Sequence, residues 1–470
     1  MIKSLELKNF KAFSDEHLEF RKITLLAGAN SSGKSSILQA LAGVLQSFSE
    51  PAFPFGYAIN GQLTQMGSFR NVVNGHNANN SFSVGIAFEN DNQEFVVEGQ
   101  YRSNDLSPHL FPRRVSLSGS KIGSFKITWN QRAKRFKLEV TSNASSDFDS
   151  EYLTIALTNL AQKRGITAQK TIEQLMGEHG NDGSKVLEYL KEIARSTISD
   201  SSAGVQSSTA DYDSSIREFE KVPYFKNIRD EVLKSLSAMR SSTTYVGPVR
   251  AYPSRYYPFA QKPAGLDPLG ETMSRTLALW KERKSPRFAE VKKALVSLEL
   301  ASDISAEIEM GEFLKLMIKP GDRAYPDTIA DVGFGVSQVL PILVSDIALG
   351  SSGTLLVNQP EVHLHPSSQA LLGSYFAGRL DTRQYIVETH SEYLITRLRL
   401  LVARGEISEN DVVIYYCGTE NDSGKALLSK VSIMKDGSLV GMPKGFFSTY
   451  AADTFNLAMA VMDSEDGDAD

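Results

Sequence analysis

The sequence predicts an α/β fold, a mixed sheet with an antiparallel β lobe and an inserted helical arm, on three observations. Short apolar strands at 353–357, 384–388 and 411–416 alternate with helical stretches, as in a doubly wound parallel sheet. Residues 81–101 and 123–141 alternate apolar and polar side chains, which indicates antiparallel hairpins with one solvated face. In the segment between them and the parallel strands, apolar residues recur at helical spacing.

The order of these patterns predicts a domain in two halves with a helical segment inserted between them. A chain of 470 residues suits two or three structural units rather than one small core. We expect an N-terminal half with the β lobe at 1–150, a helical arm at 151–243 and a C-terminal half at 244–462. The acidic residues 463–470 form a tail that we expect to be disordered.

Composition excludes several classes of function. A net charge of −5 gives no overall basic field, so binding to nucleic acid is possible but not indicated. Cys417 is the single cysteine, which excludes an intramolecular disulfide and a cysteine-based metal site. The most apolar run, 339–349, is short and interrupted by Asp346, and the N-terminus lacks the apolar core of a signal peptide. We therefore expect a cytoplasmic protein with no membrane partner.

Residues 28–35, GANSSGKS, match the phosphate-loop template G-x-x-x-x-G-K-[ST] at every fixed position. The glycines permit a tight turn that points N–H groups at phosphates, Lys34 brings a positive charge and Ser35 offers a hydroxyl to Mg²⁺. An apolar strand precedes the loop, and the helix after it adds the positive end of its dipole. A turn without a ligand would leave the lysine unexplained. The sequence therefore predicts ATP and Mg²⁺ binding by Gly28, Ala29, Asn30, Ser31, Ser32, Gly33, Lys34, Ser35 and Ser36.

Three further elements follow downstream. A Gly-x-Gly-x-Ser-Gln turn at 333–338 precedes an apolar helix and suits a second anion-binding nest, formed by Gly335, Ser337 and Gln338. Taken alone, the pattern is weak and more often an ordinary glycine-rich helix cap. The strands at 355–357 and 386–388 both end in polar clusters, where ligands of open α/β sheets bind.

Together these elements resemble the head domains of the SMC, Rad50, RecF and OLD group of ATP-binding-cassette (ABC) ATPases. In that group a phosphate loop, a signature turn, an acidic strand end and a switch histidine follow in this order. The chain is more closely similar to bacterial AAA-type ATPases with a C-terminal region of the DUF3696 kind, through TYVGPVR at 244–250, QPEVHLHP at 359–366 and MPKGFF at 442–447. The resemblance implies an ABC-type P-loop ATPase head over nearly the whole chain except the helical arm and the acidic tail.

The resemblance also implies roles for individual residues. Ser337 would contact the γ-phosphate held by a second subunit, and His390 would sense the same group. Lys11, in the first-strand motif KNFKAF, would lie near the nucleotide, although a solvated strand-end lysine is an equal alternative. Gln65 would link the metal to the helical arm.

The acidic strand end departs from the family pattern. Asn358 stands where an acidic residue usually holds the Mg²⁺ shell, and Gln359 stands where a glutamate often lies. Neither amide can take a proton from water near neutral pH. Either hydrolysis is slow, with Asn358 and Gln359 orienting waters, or Glu361 takes over part of the base role. A substitution engineered to trap ATP is a third alternative.

His363 and His365 flank one leucine, so a His-x-His metal site is a further alternative. In a strand both side chains would point to one face, which suits a metal. No third ligand is evident nearby in the sequence, and the stretch aligns with the subunit-contacting loop of the family.

The leading functional hypothesis is a slowly hydrolysing ATPase that acts as a switch. ATP would join two heads into a homodimer or higher homo-oligomer, and the arm would act on a separate effector, by family analogy a nuclease in anti-phage defence. The alternative is an OLD-like or RecF-like ATPase of DNA repair or processing that binds DNA directly. A fused nuclease is disfavoured because residues 391–470 lack a strand that ends in a spaced Asp-x-Asp pair. The helical insertion and the QPEVHLHP form argue against a third interpretation, the motor subunit of a membrane transporter.

Overall fold

The structure is a computed structural model. It describes residues 1–48, 53–104, 107–141, 157, 160, 161, 164–180, 182–190, 205–207, 211–220, 222, 225–259, 267–309, 312–321, 323–419 and 426–443. The acidic tail, the end of the 442–447 motif and much of the expected helical arm lie outside these residues.

The strands, in chain order, are β1 Ile2–Phe10, β2 Phe13–Glu19, β3 Ile23–Gly28, β4 Phe82–Asn90, β5 Gln93–Asn104, β6 Ser107–Gly119, β7 Gly123–Asn130, β8 Arg135–Thr141, β9 Val205–Gln206, β10 Thr243–Val246, β11 Tyr257–Pro258, β12 Asp303–Glu309, β13 Phe313–Lys319, β14 Asp327–Thr328, β15 Gly353–Asn358, β16 Arg383–Glu388, β17 Val412–Thr419, β18 Ala426–Ile433 and β19 Leu439–Val440. The helices are α1 Lys34–Gln46, α2 Phe69–Val72, α3 Ala168–Glu178, α4 Tyr212–Phe219, α5 Phe225–Ser241, α6 Met273–Glu282, α7 Pro286–Ser297, α8 Phe334–Ala348, α9 Pro366–Ala377 and α10 Glu392–Ala403. Short 3₁₀ turns lie at Asn74–His76 and Glu409–Asp411.

The chain divides into two compact units. Unit 1 comprises 1–9, 47–58 and 76–240, and unit 2 comprises 10–46, 59–75 and 241–470. The division of the chain into four functional ranges remains a prediction.

Unit 1 contains an antiparallel sheet in the order β1-β4-β5-β6-β7-β8-β9. Its strands alternate buried and half-buried residues, as in β7 and β8, because one face is covered and the other is not. Helix α5 buries Phe225, Ile228 and Val232 along one stripe, and the Phe225 ring lies 4.7 Å from that of Phe125 on β7. The predicted helical spacing of this segment therefore corresponds to packing of α5 on the β lobe.

Unit 2 contains a second sheet in the order β10-β15-β16-β3-β17-β18-β19. The pairs from β10 to β17 are parallel, and β18 and β19 continue antiparallel. Every residue of β15 and β16 is buried, which explains the apolar runs at 355–357 and 385–387. A smaller antiparallel sheet in the order β11-β13-β12, with β14 on β13, belongs to the same unit. The predicted α/β class, with parallel strands after 353 and an antiparallel β lobe, is confirmed.

The apolar run 339–349 is the buried body of α8, and Asp346 within it has a structural partner. The Asp346 carboxylate is fully buried and accepts hydrogen bonds from Arg383 Nε at 3.0 Å and from the Tyr375 hydroxyl at 2.6 Å. Arg383 also donates to the Gly350 carbonyl at 2.7 Å, so its guanidinium pins the end of α8 to the start of β16. In the part of the chain that is described, no helix is long and apolar enough to cross a membrane.

Replacing Asp346 with alanine should leave the buried Arg383 guanidinium without its carboxylate. We expect Asp346→Ala to lower the free energy of unfolding by about 3–5 kcal/mol, measured by urea denaturation. The exposed Asp381→Ala is the control and should change it by less than about 0.5 kcal/mol. A loss below about 1 kcal/mol for Asp346→Ala would show that backbone carbonyls alone satisfy Arg383.

Candidate nucleotide site

The phosphate loop connects β3 to α1 and depends on a close approach between two strands. Gly28 pairs with Cys417 of β17 and has a φ of +136°, which L side chains rarely adopt. A Cβ at Gly28 would lie 2.0 Å from the Cys417 carbonyl oxygen. Only glycine fits here, so the first glycine of the motif fixes where the loop leaves the sheet.

The second fixed glycine closes the loop against β2. Gly33 has a φ of +101°, and a Cβ there would lie 3.0 Å from the Phe13 ring. Between the glycines, Ala29, Asn30 and Ser31 are exposed, while Ser32 is buried and its hydroxyl donates to the Ala29 carbonyl at 2.8 Å.

Lys34 begins α1 and folds its side chain back into the loop. Its ammonium donates to the Gly28 carbonyl at 3.1 Å and to that of Ala29, and only 4% of the residue is exposed. Burial lowers the pKa of the Lys34 ammonium, while the nearby Glu388 opposes this shift. A buried ammonium whose partners are mainly carbonyl oxygens is suited to bind an anion.

Two carboxyl-terminal strand ends meet beside the loop. Because β15 and β16 pair in parallel register, Asn358 and Glu388 lie opposite one another at the ends of their strands. Glu388 accepts hydrogen bonds from the Ser35 hydroxyl at 2.8 Å and from the Asn358 amide at 2.6 Å. Burial raises the pKa of the Glu388 carboxyl, and the hydrogen bond from Ser35 and the charge of Lys34 act against that rise.

These side chains fit a magnesium ion by chemistry. Mg²⁺ prefers oxygen ligands and usually takes one or two carboxylates together with phosphate oxygens. Ser35, Asn358 and Glu388 present only oxygens and one amide nitrogen, and Asn358 Oδ1 is buried with no hydrogen-bond partner. Among the described residues, no group of three or more His, Cys, Asp or Glu side chains is arranged to hold a metal ion.

The residues at the end of β15 are held by Arg250, which belongs to the 244–250 motif but has no predicted role from the sequence. Arg250 is buried and donates to the Asn358 and Gln359 carbonyls, the latter at 3.2 Å. Burial lowers the pKa of Arg250 to about 10, although the nearby Glu361 counteracts the shift. Gln359 has a left-handed φ of 44°, and its N–H donates to the Glu388 carbonyl at 2.7 Å. Arg250 therefore stabilises the turn that presents Gln359.

Glu361 and His390 are linked through the backbone. Glu361 Oε1 accepts the His390 N–H at 2.6 Å, and Oε2 is buried without a hydrogen-bond partner. Burial raises the pKa of the Glu361 carboxyl, mainly opposed by the hydrogen bond from the His390 N–H. Partial burial lowers the pKa of the His390 imidazole, and the positive charge of Lys34 lowers it further.

A cavity of about 390 Å³ brings most of these residues together. Its volume lies in the range of pockets for small ligands. The cavity is lined by Ala12, Asn30, Ser31, Ser32, Gly33, Lys34, Ser35, Ser36, Gln359, Glu388 and His390.

Several candidates from the sequence do not line this cavity. Lys11 precedes the lining residue Ala12 in the sequence, and its backbone is hydrogen-bonded to Val72 and Asn74. Gln65 is exposed and donates to the Gly61 carbonyl at 2.7 Å. Glu361 and Asn358 are buried and do not line the cavity, and the roles of all four residues remain predictions.

The signature turn begins α8, and its residues are not among those that line the cavity. Ser337 is buried, and its hydroxyl donates to the Phe334 carbonyl at 2.8 Å, so it would have to rotate to meet a phosphate. Gln338 is also buried, and a Cβ at Gly335 would lie 2.9 Å from the His363 carbonyl oxygen. Their binding roles remain predictions.

The two histidines of QPEVHLHP have separate neighbours. The His363 ring lies 5.6 Å from that of Phe334, and the His365 side chain caps α9 by accepting the Ser367 N–H at 3.3 Å. The stretch is thus a turn that connects β15 to α9 and contacts the first residue of α8.

Residues 1–395 match the family model described as the AAA ATPase domain. This range includes the phosphate loop, both strand ends and His390, and covers most of the chain. The chain belongs to this ATPase family. Membership implies ATP binding, and it agrees with the phosphate loop found in the sequence.

Similar solved structures are those of SMC head domains. The Smc head domain of Pyrococcus furiosus, with an extended coiled coil and bound to the C-terminal domain of ScpA, is 13% identical to this AAA ATPase over 92% of this chain and 96% of its own, with a TM-score of 0.41. The SMC head domain of Thermotoga maritima is 13% identical over 94% of this chain and 99% of its own, with a TM-score of 0.38. No protein of curated function matches the chain.

Gly28→Ala tests the close approach that shapes the loop of this AAA ATPase. The added Cβ would collide with the Cys417 carbonyl at a strained φ, so we expect a loss of stability above the ~1–3 kcal/mol of backbone strain alone. ATP affinity, measured by calorimetry, should fall more than about 10-fold, because about 1.4 kcal/mol of distortion in the bound loop suffices.

Gly405→Ala is the matched control, because Gly405 also has a positive φ, of +71°, but a Cβ there meets open space. It should cost about 1 kcal/mol and leave ATP affinity unchanged. Equal ATP affinity of Gly28→Ala and the unaltered chain would contradict this account of the loop.

Proposed function

We propose that this AAA ATPase is an ATP-dependent association switch, in which ATP joins two copies into a homodimer or higher homo-oligomer. The supporting observation is that the two predicted anion-binding elements do not both line the cavity. Lys34 and its loop line the 390 Å³ cavity, whereas the signature residues Gly335 and Ser337 do not. In the resemblance to SMC-type heads, a nucleotide in such a cavity is contacted by the signature turn of a second copy, and we propose the same contact here.

The start of α8 has a surface suited to that contact. Phe334 is 46% exposed and Tyr252 is 82% exposed, with their rings 5.9 Å apart in an edge-to-face arrangement. Gly333 provides no side-chain cap, so the first N–H groups of α8 lack a side-chain acceptor. Exposed aromatic rings beside an uncapped helix N-terminus favour a partner that brings both apolar surface and negative charge.

We further propose slow turnover of the bound ATP. Gln359, the residue that follows β15, lines the cavity, and an amide cannot act as a base near neutral pH. The Glu361 carboxylate binds the His390 backbone and does not line the cavity. The nucleotide would then stay bound between copies longer than in an ATPase with a carboxylate at the Gln359 position.

The output of the switch is proposed to be a separate effector protein. The resemblance to bacterial defence-type ATPases with DUF3696-like ends supports a nuclease effector. Copurification of the intact chain with its genetic neighbours, with and without ATP, is the direct test of that partner.

Lys34→Ala should abolish the switch at its first step. The variant removes the buried ammonium of the loop, so we expect ATP affinity to fall more than about 100-fold, corresponding to about 2.8 kcal/mol. Light scattering after size exclusion should show ATP-dependent association for the unaltered chain and none for the variant.

The control is Lys435→Ala, whose side chain is 86% exposed, and it should bind ATP and associate normally. ATP binding retained by Lys34→Ala would refute the nucleotide site. ATP binding without a change in mass of the unaltered chain would refute the switch.

Phe334→Glu separates association from binding. An acidic residue in the first turn of a helix is compatible with folding, yet here it would repel the phosphates of the neighbouring copy. We expect the variant to bind ATP like the unaltered chain and to remain monomeric in ATP and Mg²⁺ by light scattering.

Leu427→Glu on β18 is the matched control, because Leu427 is also exposed, at 51%, and lies outside the signature turn. It should associate normally. Normal ATP-dependent association of Phe334→Glu would place the contact on another surface.

A further inference from the structure

Glu388 is a carboxylate that the sequence motifs leave unassigned. We propose that Glu388 supplies the protein's negative charge to the magnesium site, in place of the acidic residue expected at Asn358. This proposal rests on the proposed binding of ATP with Mg²⁺ and adds the residue that makes that binding metal-dependent.

The first argument is position. Glu388 ends β16 directly beside Asn358 at the end of β15, so a carboxylate displaced by one strand occupies the same edge of the sheet. Its Oε1 accepts the hydroxyl of Ser35, the residue that a phosphate loop offers to Mg²⁺, at 2.8 Å. A group that already binds the metal-ligating hydroxyl lies within the metal's surroundings.

The second argument is charge. Among the described residues that line the cavity, Glu388 is the one carboxylate. Mg²⁺ in nucleotide sites is usually held by one or two carboxylates together with phosphate oxygens. Without the Glu388 carboxylate, a divalent ion would meet a lining that contains the Lys34 ammonium and no protein anion.

The third argument is an unsatisfied atom next to the carboxylate. Glu388 is 2% exposed, and a carboxylate buried to this degree is retained where cations or donors compensate it. Asn358 donates its amide to Glu388, which leaves Asn358 Oδ1 buried without a hydrogen-bond partner. A cation or a metal-bound water would give Asn358 Oδ1 a partner and would also compensate the buried charge of Glu388.

A purely structural role is the competing account, because Glu388 also ties α1 to two strands. Glu388→Gln separates the accounts. Glutamine has the same shape, its carbonyl can still accept the Ser35 hydroxyl, and a flip of the Asn358 amide lets Oδ1 accept from the new NH₂ group. The variant therefore keeps the hydrogen bonds and removes only the charge.

The experiment measures ATP affinity by calorimetry in Mg²⁺ and in EDTA, and Mn²⁺ binding to the ATP complex by electron paramagnetic resonance. In Glu388→Gln we expect ATP affinity in EDTA that is not reduced, because a carboxylate beside the phosphates only repels them when no metal is bound. The affinity gained from Mg²⁺, and the affinity for Mn²⁺, should fall about 10- to 100-fold. Exposed Glu392→Gln is the matched control and should behave like the unaltered chain.

A charge swap makes the test specific. Asn358→Asp in the Glu388→Gln background returns one carboxylate to the same edge and should restore Mn²⁺ binding to within about 10-fold, a coupling between neighbours that neither single change predicts. Asn358→Asp alone places two carboxylates opposite each other and should not tighten ATP binding in EDTA.

Equal metal dependence of Glu388→Gln and the unaltered chain overturns the assignment. An equal loss of ATP affinity with and without Mg²⁺ assigns Glu388 a structural role and also overturns it. A chain that binds ATP but stays monomeric sinks the switch and leaves this assignment standing. A chain that binds no ATP in either solution sinks both.

Discussion

The parallel register of β3, β15 and β16 is the constraint on which the candidate site depends. Register places Glu388 opposite Asn358 on one side and opposite Leu26 on the other, two residues before the loop begins at Gly28. Ser35 and Glu388 are 353 residues apart in the chain, yet their side chains are hydrogen-bonded. A slip of one residue in β16 would turn Glu388 to the opposite face and leave Ser35 without its acceptor. The chemistry at this edge is therefore a consequence of strand pairing, and the motifs supply the residues that pairing brings together.

Local patterns were sufficient for the elements whose signal lies in one stretch of chain. The phosphate loop, the strand before it and the strands ending at Asn358 and Glu388 were predicted to within one or two residues, because buried parallel strands form short apolar runs with polar ends. Strand β6 was not predicted. Its sequence contains Pro108 and Pro112, which argue against a strand, and the structure accommodates the second with a register shift opposite Tyr101.

The parts of the site that were missed are those that need two distant segments. Glu388 was visible as the last residue of an apolar strand, but a single sequence does not reveal that this strand neighbours the one ending at Asn358. Arg250 belonged to a quoted motif, but its function is to hold backbone carbonyls after β15, for which no side-chain pattern exists. Gln65 is expected at the metal through the resemblance alone. Its amide donates to the Gly61 carbonyl in the structure, and its role at a metal stays a prediction.

The amides at the end of β15 change what that end can do, and Arg250 reinforces the change. Three hydrogen bonds from one buried guanidinium fix the Asn358 and Gln359 backbone, and the Gln359 N–H is in turn bound to the Glu388 carbonyl. A turn held this firmly can orient a water but offers no proton acceptor. The lack of a carboxylate in this turn supports the slow turnover that we propose for the association switch.

The buried pair of Asp346 and Arg383 gives this site a mechanical connection to the signature turn. Helix α8 carries the signature turn at its first residues and Asp346 near its end, while Arg383 begins β16 and Glu388 ends it. The ion pair, at 3.0 Å and almost without solvent exposure, therefore joins α8 and β16 into one frame, in which the helix and the strand are held together. A packed core resists gradual deformation, so this frame should keep Phe334 and Glu388 at a fixed separation. In the proposed association, contact of a second copy with Phe334 would then act on the strand that ends at the proposed magnesium site.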